Sequence, residues 1–371
     1  MKYRFSLLGL VGIFFFLESC IDPFSPPEIT SARQYLVVDG FLDVGSDTSW
    51  IRLSRTQNIL DTDQPTQENG AQVRVQGDRG STFPFAQVGG GRYMLPPQSF
   101  QEAEQFRLYI RTSGGYEYYS DYVPIKKTPP IDSITYKVDE ARDGIQFYVN
   151  TQDPQSNTRF YRWKFEETWE YSMPLYSAYE IQDGAVVDRR ENINTCWSST
   201  KPATILVGTT VKLSQDVLRQ HPITFVSAST GKLRSRYSIL LKQYALTQEG
   251  FQYWISLAKT TEQTGSLFDP LPSQITGNIK CITDPQELAF GFFSASASQE
   301  KRLLIAPRMG RMGFCPIIDT LDRFKVLETQ EMIISEYFGE NAIFPDYLIG
   351  TVSCADCRTR GGTTTKPSYW P

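Results

Sequence analysis

The feature that most constrains the fold is a series of short segments in which apolar and polar residues alternate. In one segment Val73 and Val75 share a face of an extended chain, and in another Phe106, Leu108 and Ile110 do so. Successive side chains of a strand point to opposite faces, so each segment predicts a strand with one buried face. Turn residues separate these segments, and aromatic residues make up 13% of the chain. Both features favour β-sheets, and the spacing is typical of a β-sandwich.

The chain is expected to form two β-rich domains. Residues 34–126 predict an N-terminal β-sandwich of immunoglobulin-like or transthyretin-like type. Pro129 and Pro130 lie just beyond it, where they remove two backbone donors and make an extended joint. Residues 127–371 predict a larger β-rich domain with fibronectin III-like elements, for which analogy of fold is the warrant.

One main helix is predicted near residues 247–264. Phe251, Trp254 and Ile255 begin an apolar stripe at helical spacing, although Gly250 weakens the helix by about 1 kcal/mol relative to alanine. A second, short helix is predicted from Ser214, which would act as its N-cap.

The amino terminus predicts export and a lipid anchor. An apolar run of 12 residues, 5–16, follows Lys2 and Arg4 and is too short to span a bilayer. This layout predicts a signal peptide over residues 1–19. The segment that ends at Cys20 resembles the lipobox of bacterial lipoproteins, which implies a covalent lipid on Cys20 and a tether over residues 20–33. The alternatives are an ordinary cleaved signal and a membrane-anchoring helix.

Export would place the remaining cysteines in an oxidising compartment, where disulfides are expected. Because there are five, at least one is unpaired or bonded to another molecule. They are Cys196, Cys281, Cys315, Cys354 and Cys357. Cys354 and Cys357 are expected to form a structural disulfide, with a metal half-site and a redox motif as alternatives. Cys196 and Cys281 are the expected remaining pair. The further alternative is that Cys315 bonds to Cys354 or Cys357.

Candidate catalytic groups are few. His221 is the single histidine, no GxSxG motif is present, and no metal site or cofactor is expected. Glu166 and Glu167 are adjacent, so in a strand they point to opposite faces and cannot pair across a cleft as a glycosidase requires. The net charge of −4 argues against a nucleic-acid partner, which would need a basic face. The sequence therefore predicts a protein that is not an enzyme.

Two aromatic clusters are the candidate ligand-binding residues. They consist of Tyr116, Tyr118 and Tyr122 in one segment, and of Trp169, Tyr171, Tyr176 and Tyr179 in the other. Exposed aromatic platforms bind glycans and peptides. The alternative is that these side chains pack in sheet cores.

Several segments carry a resemblance to a known family. They include YLVVDGFL, PPIDSITY, FYRWKFEETWEY, TGSLFDPLPSQITGNI and CADCRTRGGTTTKPSYW. On these segments the chain resembles a family of Bacteroidota lipoproteins classed as a domain of unknown function. The resemblance implies a place in the outer membrane and a TonB-dependent β-barrel receptor as partner. It implies no catalytic residue.

The functional expectation combines these features. It is a non-enzymatic, lipid-anchored outer-membrane protein that acts as an accessory or ligand-capture subunit of a TonB-dependent transporter. The alternatives are a surface adhesion or scaffolding lipoprotein and an unrecognised hydrolase. The sequence leaves open whether the protein faces the periplasm or the cell surface.

Overall fold

The computed structural model describes residues 34–57, 61–262, 275, 277–311 and 313–371. The predicted signal peptide, Cys20 and the tether over residues 20–33 lie outside this part of the chain. Residues 35–371 cluster as one compact unit. Most of its regular structure is β, with one main helix, as predicted. None of the helices in the described part is long and apolar enough to cross a membrane.

The first strands follow the predicted period-two pattern. They are β1 Leu36–Asp43, β2 Ser49–Arg55, β3 Gln72–Gly77, β4 Thr82–Pro84, β5 Ala86–Gly89, β6 Arg92–Leu95, β7 Gln105–Arg111, β8 Glu117–Ser120 and β9 Val123–Lys126. The strands β1, β2, β6 and β5 pair in that order, and β4, β3, β7 and β8 pair likewise. Both groups contribute to one hydrophobic core, in which Val75, Phe106 and Leu108 are buried against Ile51 and Leu53.

A second group of strands follows the Pro129–Pro130 joint. They are β10 Ile131–Asp139, β11 Gly144–Gln152, β12 Phe160–Ser172, β13 Tyr179–Gln182, β14 Ala185–Asp188, β15 Thr195–Thr200, β16 Leu206–Thr209, β17 Val217–Ser227 and β18 Tyr237–Ala245. The sheet β10–β11–β17 and the sheet formed by β15, β12 and β18 share a core of Phe147, Trp163 and Leu241.

The remaining elements complete three sheets. They are helix α1 Gln248–Glu262, β19 Ile279–Cys281, β20 Ala289–Phe290, β21 Ala295–Ser296, β22 Gln299–Ile305, β23 Asp319–Leu321, β24 Met332–Tyr337, β25 Asp346–Gly350 and the short helix α2 Val352–Ala355. Single 3₁₀ turns occupy Ala228–Thr230, Lys325–Glu328 and Cys357–Arg360. The strands β14, β13, β24, β25 and β23 form a separate small sheet, and β22 pairs with β18.

The structure differs from the predicted division at residue 126. The strands β20 and β21 pair with β1, and β19 pairs with β8. Residues 279–296 therefore belong to the N-terminal sheets and not to a separate domain over 127–371. Their pairing covers backbone groups of β1 that would otherwise form an open sheet edge. Phe293 and Ala295 also fill the N-terminal core.

The two predicted helices have different outcomes. The main helix is confirmed as α1, Gln248–Glu262. Packing explains the glycine at position 250 in this helix, because a Cβ there would lie 3.1 Å from the Phe292 ring. The prediction of a short helix from Ser214 is wrong, because this segment leads into strand β17, which pairs with β11. Asp216 accepts hydrogen bonds from Tyr161 and not from a helix terminus, so tertiary pairing overrides a weak local helix signal.

The disulfide pairing also needs correction. Cys196 bonds to Cys357 and Cys315 bonds to Cys354, while Cys281 is free. The expected bonds between Cys354 and Cys357 and between Cys196 and Cys281 do not form. The reason lies in the carboxyl-terminal segment, which runs beside β15 and pairs Thr363 with Trp197. That pairing brings Cys357 to Cys196, with Cα atoms 5.7 Å apart.

Candidate ligand-binding cleft

The structure does not gather the first predicted aromatic cluster on one surface. Tyr118 is fully buried in the N-terminal core, and its hydroxyl donates a hydrogen bond to Glu287 at 3.1 Å. Burial, followed by the charge of Glu287, raises the pKa of Tyr118. Tyr116 and Tyr122 remain exposed on either side of β8, and Tyr122 lies beneath the guanidinium of Arg107. Only the two outer tyrosines therefore reach solvent.

The second aromatic cluster is also dispersed. Tyr171 is buried, and its hydroxyl donates to the carbonyl oxygen of Cys357 at 2.8 Å. Trp169 is half-buried under the ammonium group of Lys232. Tyr179 packs edge-on against Tyr347 in the small sheet. Tyr176 alone is largely exposed, at 57%. These side chains mainly fill cores or brace loops.

A cleft of about 630 Å³ lies elsewhere, between β1, the sheet of β12 and β18, and helix α1. This volume falls in the range of sites that hold small organic molecules, roughly 300–1,000 Å³. Residues of β20 and the loop between β15 and β16 complete its walls. The cleft therefore forms where the returning strands meet the second group of sheets.

The alternation of side chains along β12 makes the floor of the cleft. Tyr161, Trp163 and Phe165 are buried in the core on one face. Arg162 and Lys164 point to the other face and line the cleft. The same period-two rule that predicted a buried strand thus places two cations on its opposite surface.

Strand β18 supplies the neighbouring row of the floor. In the register of the two strands, Arg162 is opposite Tyr244 and Lys164 is opposite Lys242. Two like charges directly opposed across a sheet repel each other. Lys242 is neutralised by Asp47 at 3.0 Å and by Glu300 at 3.1 Å.

The other charges of the floor are unevenly paired. Glu166 binds Lys201 at 3.2 Å, so this pair is self-contained. Neither Arg162 nor Lys164 forms an ion pair with any residue that the structure describes. Asp39 of β1 lines the same cleft and is exposed. In the described part of the chain, the cleft therefore carries two cations without an ion pair, and the charge of Asp39 acts on both of them.

Arg162 is held in a particular orientation. Its guanidinium lies 3.3 Å over the ring of Trp254, which comes from helix α1. Its Nε atom is buried without a hydrogen-bond partner in the described part of the chain. Burial lowers the pKa of Arg162 to about 10. Burial and then the neighbouring charge of Arg162 also lower the pKa of Lys164.

The wall that adjoins the floor at Arg162 is apolar. Tyr253, Trp254 and Leu257 of α1 line it together with Phe292. The Tyr253 ring lies 5.1 Å from that of Trp254 and 5.4 Å from that of Phe292. A ligand in the cleft would contact both the cations of the floor and the aromatic surface of this wall.

Two glycines allow close approaches of β1 at this site, Gly40 towards β2 and Gly291, next to β20, towards Val38 of β1. Gly40 has φ of 150° and Gly291 has φ of 128°. A Cβ on Gly291 would collide with the carbonyl of Val38. Glycine is required here because it alone combines this backbone conformation with so close an approach.

The prediction of a binding site in the segment FYRWKFEETWEY rested on its aromatic residues and overlooked its cations. The alternating Arg162 and Lys164 were the available signal, since both follow the period of a strand. Trp254 was assigned to an apolar stripe, of which Phe251 alone is fully buried. Glu166 and Glu167 do point to opposite faces, as predicted, because Glu167 is buried and bonded to Lys232 and Glu166 lines the cleft.

His221, the single histidine, packs against the core of the fold. His221 lies in β17 with its ring 4.7 Å from that of Trp163, and burial lowers its pKa. Among the residues described, no group of three or more His, Cys, Asp or Glu side chains is arranged to hold a metal ion. The cleft floor is therefore the most distinctive cluster of chemistry in this part of the chain.

Comparison with known proteins places the chain in a family. The family model described as "Domain of unknown function (DUF4249)" matches residues 21–302. None of the curated proteins matches the sequence. One similar solved structure is that of a DUF4785 family protein (lpg0956) from Legionella pneumophila subsp. pneumophila str. Philadelphia 1, at 10% identity.

That alignment covers 56% of this chain and about half, 52%, of the Legionella chain, with a TM-score of 0.20. At this score the likeness carries no argument about fold or function. The family match spans about three quarters of the sequence and includes most of the residues that build the cleft. The chain therefore belongs to the DUF4249 family of domains of unknown function.

Proposed function

We propose that this protein captures a small molecule in the cleft between β12, β18 and α1. The observation that carries the proposal is the combination of a cavity of about 630 Å³ with unpaired cations and an aromatic wall. Binding sites are typically concave and mostly apolar, with a few polar groups that fix orientation. The protein is proposed to bind its ligand without chemical change.

The proposal extends to location and partner. We propose that a lipid on Cys20 tethers the protein to the outer membrane of a Bacteroidota cell. There it would deliver its ligand to a TonB-dependent β-barrel transporter. The basis is the signal-like amino terminus, the lipobox resemblance and the family resemblance of the sequence. A tethered capture protein raises the local concentration of ligand at the transporter.

Ligand capture is tested with the fluorescent amphiphile anilinonaphthalene sulfonate. We expect one equivalent to bind the native protein. Leu257→Trp should abolish that binding, because the larger ring fills the apolar wall of the cleft. Leu213→Trp is the matched control, since Leu213 is 48% exposed and lies outside the cleft. Equal probe binding by the Leu257→Trp variant and the native protein would show that the cleft is not the binding site.

Anchoring and partnership are tested separately. Cys20→Ala should release the protein from membranes or block its maturation, and unchanged membrane retention with unchanged mass would refute the lipid anchor. A pull-down from detergent-solubilised membranes should enrich a large β-barrel receptor. If attachment and function persist after loss of every such receptor, the protein is an adhesion or scaffolding lipoprotein instead.

A further inference from the structure

The unpaired charges of the cleft indicate what kind of ligand it takes. Lys164 lies directly opposite Lys242 across the β12–β18 pair, and among the described residues only Lys242 of these two has carboxylate partners. A cation that is partly desolvated and unpaired is unfavourable in the free protein. An anion bound beside Lys164 would remove that cost, so the unliganded cleft is complementary to negative charge.

Arg162 adds directionality to this charge. Trp254 covers one face of its guanidinium at 3.3 Å, and Nε lacks a partner among the described residues. A guanidinium donates its N–H bonds within its own plane, so stacking leaves the terminal N–H groups of Arg162 available to an acceptor, whereas Nε itself is buried. Two parallel N–H donors match the two oxygens of a carboxylate. The stack therefore fixes Arg162 in an orientation suited to a planar anion.

The carboxylate of Asp39 favours a ligand with a single negative charge over one with two. Arg162 and Lys164 form no ion pair among the described residues, but the negative charge of Asp39 in the same cleft already acts on both of them. Asp39 would repel a dianionic group such as a phosphate monoester more strongly than a singly charged carboxylate. The aromatic wall formed by Trp254 and Phe292 then accommodates an apolar body.

We infer that the cleft binds an amphipathic organic acid, with its carboxylate at Arg162 and Lys164 and its apolar body against Trp254 and Phe292. This inference rests on the proposed capture function and names the ligand class. Burial lowers the pKa of both cations. A bound carboxylate would raise those pKa values again, because an opposite charge favours the protonated form.

The test uses four compounds with one body: phenylhexanoate, phenylhexanamide, phenylhexylamine and phenylhexyl phosphate. Affinities are measured by calorimetry with the native chain at pH 7. We expect the acid to bind at least about tenfold more tightly than the amide, which corresponds to the stronger charge-assisted hydrogen bonds. The amine should bind most weakly, because Arg162 and Lys164 repel it.

Variants separate a binding role from a structural one. Lys164→Met should lower the affinity for the acid about tenfold and leave the affinity for the amide unchanged. Its thermal midpoint should not fall, since the substitution removes a repelled charge. Lys280→Met is the matched control, because Lys280 is exposed and outside the cleft. Arg162→Lys should also weaken acid binding, because it keeps the charge and loses the planar donor edge.

Three outcomes would overturn the inference. Equal affinity for the acid and the amide would show that charge does not select the ligand, while the capture function would stand. Tighter binding of the phosphate than of the acid would overturn the assignment of a carboxylate. Failure of all four compounds to bind would also overturn it, and the anilinonaphthalene sulfonate experiment decides separately whether the cleft binds any small molecule.

Discussion

The disulfide between Cys196 and Cys357 is expected to be a major contributor to stability, and its removal tests the structure directly. The bond joins residues 161 positions apart, whereas the bond between Cys315 and Cys354 joins residues 39 apart. Closing loops of these lengths lowers the entropy of the unfolded chain by the equivalent of about 5 and about 4 kcal/mol, respectively, in the chain-entropy model. The longer bond should therefore be the more stabilising.

The two loops are nested, since residues 315–354 lie inside residues 196–357. With the inner bond intact, the outer bond closes an effective loop shortened by the 39 positions of the inner one. The entropy depends on the logarithm of loop length, so this changes the outer contribution by only a few tenths of a kcal/mol, about 0.2. Cys196 and Cys357 are also fully buried, so the Cys196→Ala, Cys357→Ala variant loses packing in addition.

The assay is denaturant unfolding of the native protein and of paired alanine variants. The Cys196→Ala, Cys357→Ala variant should lose about 5 kcal/mol, more than the variant that lacks Cys315 and Cys354. Cys281→Ala is the control and should change stability by less than about 0.5 kcal/mol, because that thiol is free. A proteolytic peptide in which Cys354 is bonded to Cys357, or a larger loss in the inner-pair variant, would refute the pairing.

Three further predictions concern single residues. Gly40→Ala should cost about 1–3 kcal/mol, because φ is 150° and a Cβ would collide with the Trp50 carbonyl; unfolding midpoints in urea test it. Lys232→Met should cost about 3 kcal/mol, measured by the same method, because it leaves the buried carboxylate of Glu167 without its cation. Burial raises the pKa of Tyr244 to about 12, above its ordinary value near 10, so the neutral phenol stabilises the fold. That stability is present below pH 10 and lost as pH rises towards 12. Because other buried tyrosines such as Tyr118 also lose stability in this range, the loss in Tyr244→Phe should be smaller than that in the native protein by about 3 kcal/mol.

Each of these results would bear on a different part of the structure. A Gly40→Ala protein as stable as the native one would contradict the close approach of β1 to β2. An unchanged midpoint in Lys232→Met would contradict the buried ion pair. Equal loss of stability in Tyr244→Phe and the native protein between pH 10 and pH 12 would show that Tyr244 does not contribute to that loss.

Local patterns determined the class of the elements. The apolar residues of β3 and β7 recur with a period of two, and those of α1 recur at helical spacing, because each element buries one face. The opposite orientations of Glu166 and Glu167 follow from the same rule. These features depend on neighbours along the chain, so the sequence by itself determined them.

Tertiary structure decided what depends on distant neighbours. The segment after Ser214 forms β17 because its backbone can form hydrogen bonds with β11. Residues 279–296 join the N-terminal sheets because β1 and β8 each have a side on which they can pair. The disulfide pairing follows the path of the carboxyl-terminal segment along β15.

The charge pattern of the cleft is also decided by the tertiary structure. Arg162 and Lys164 could be recognised as one face of a strand from the sequence. That this face carries unpaired charge depends on Lys242 taking Asp47 and Glu300 as partners, and on α1 placing Trp254 over Arg162. Those contacts join residues far apart in the chain, and only the packing of the sheets against the helix decides them.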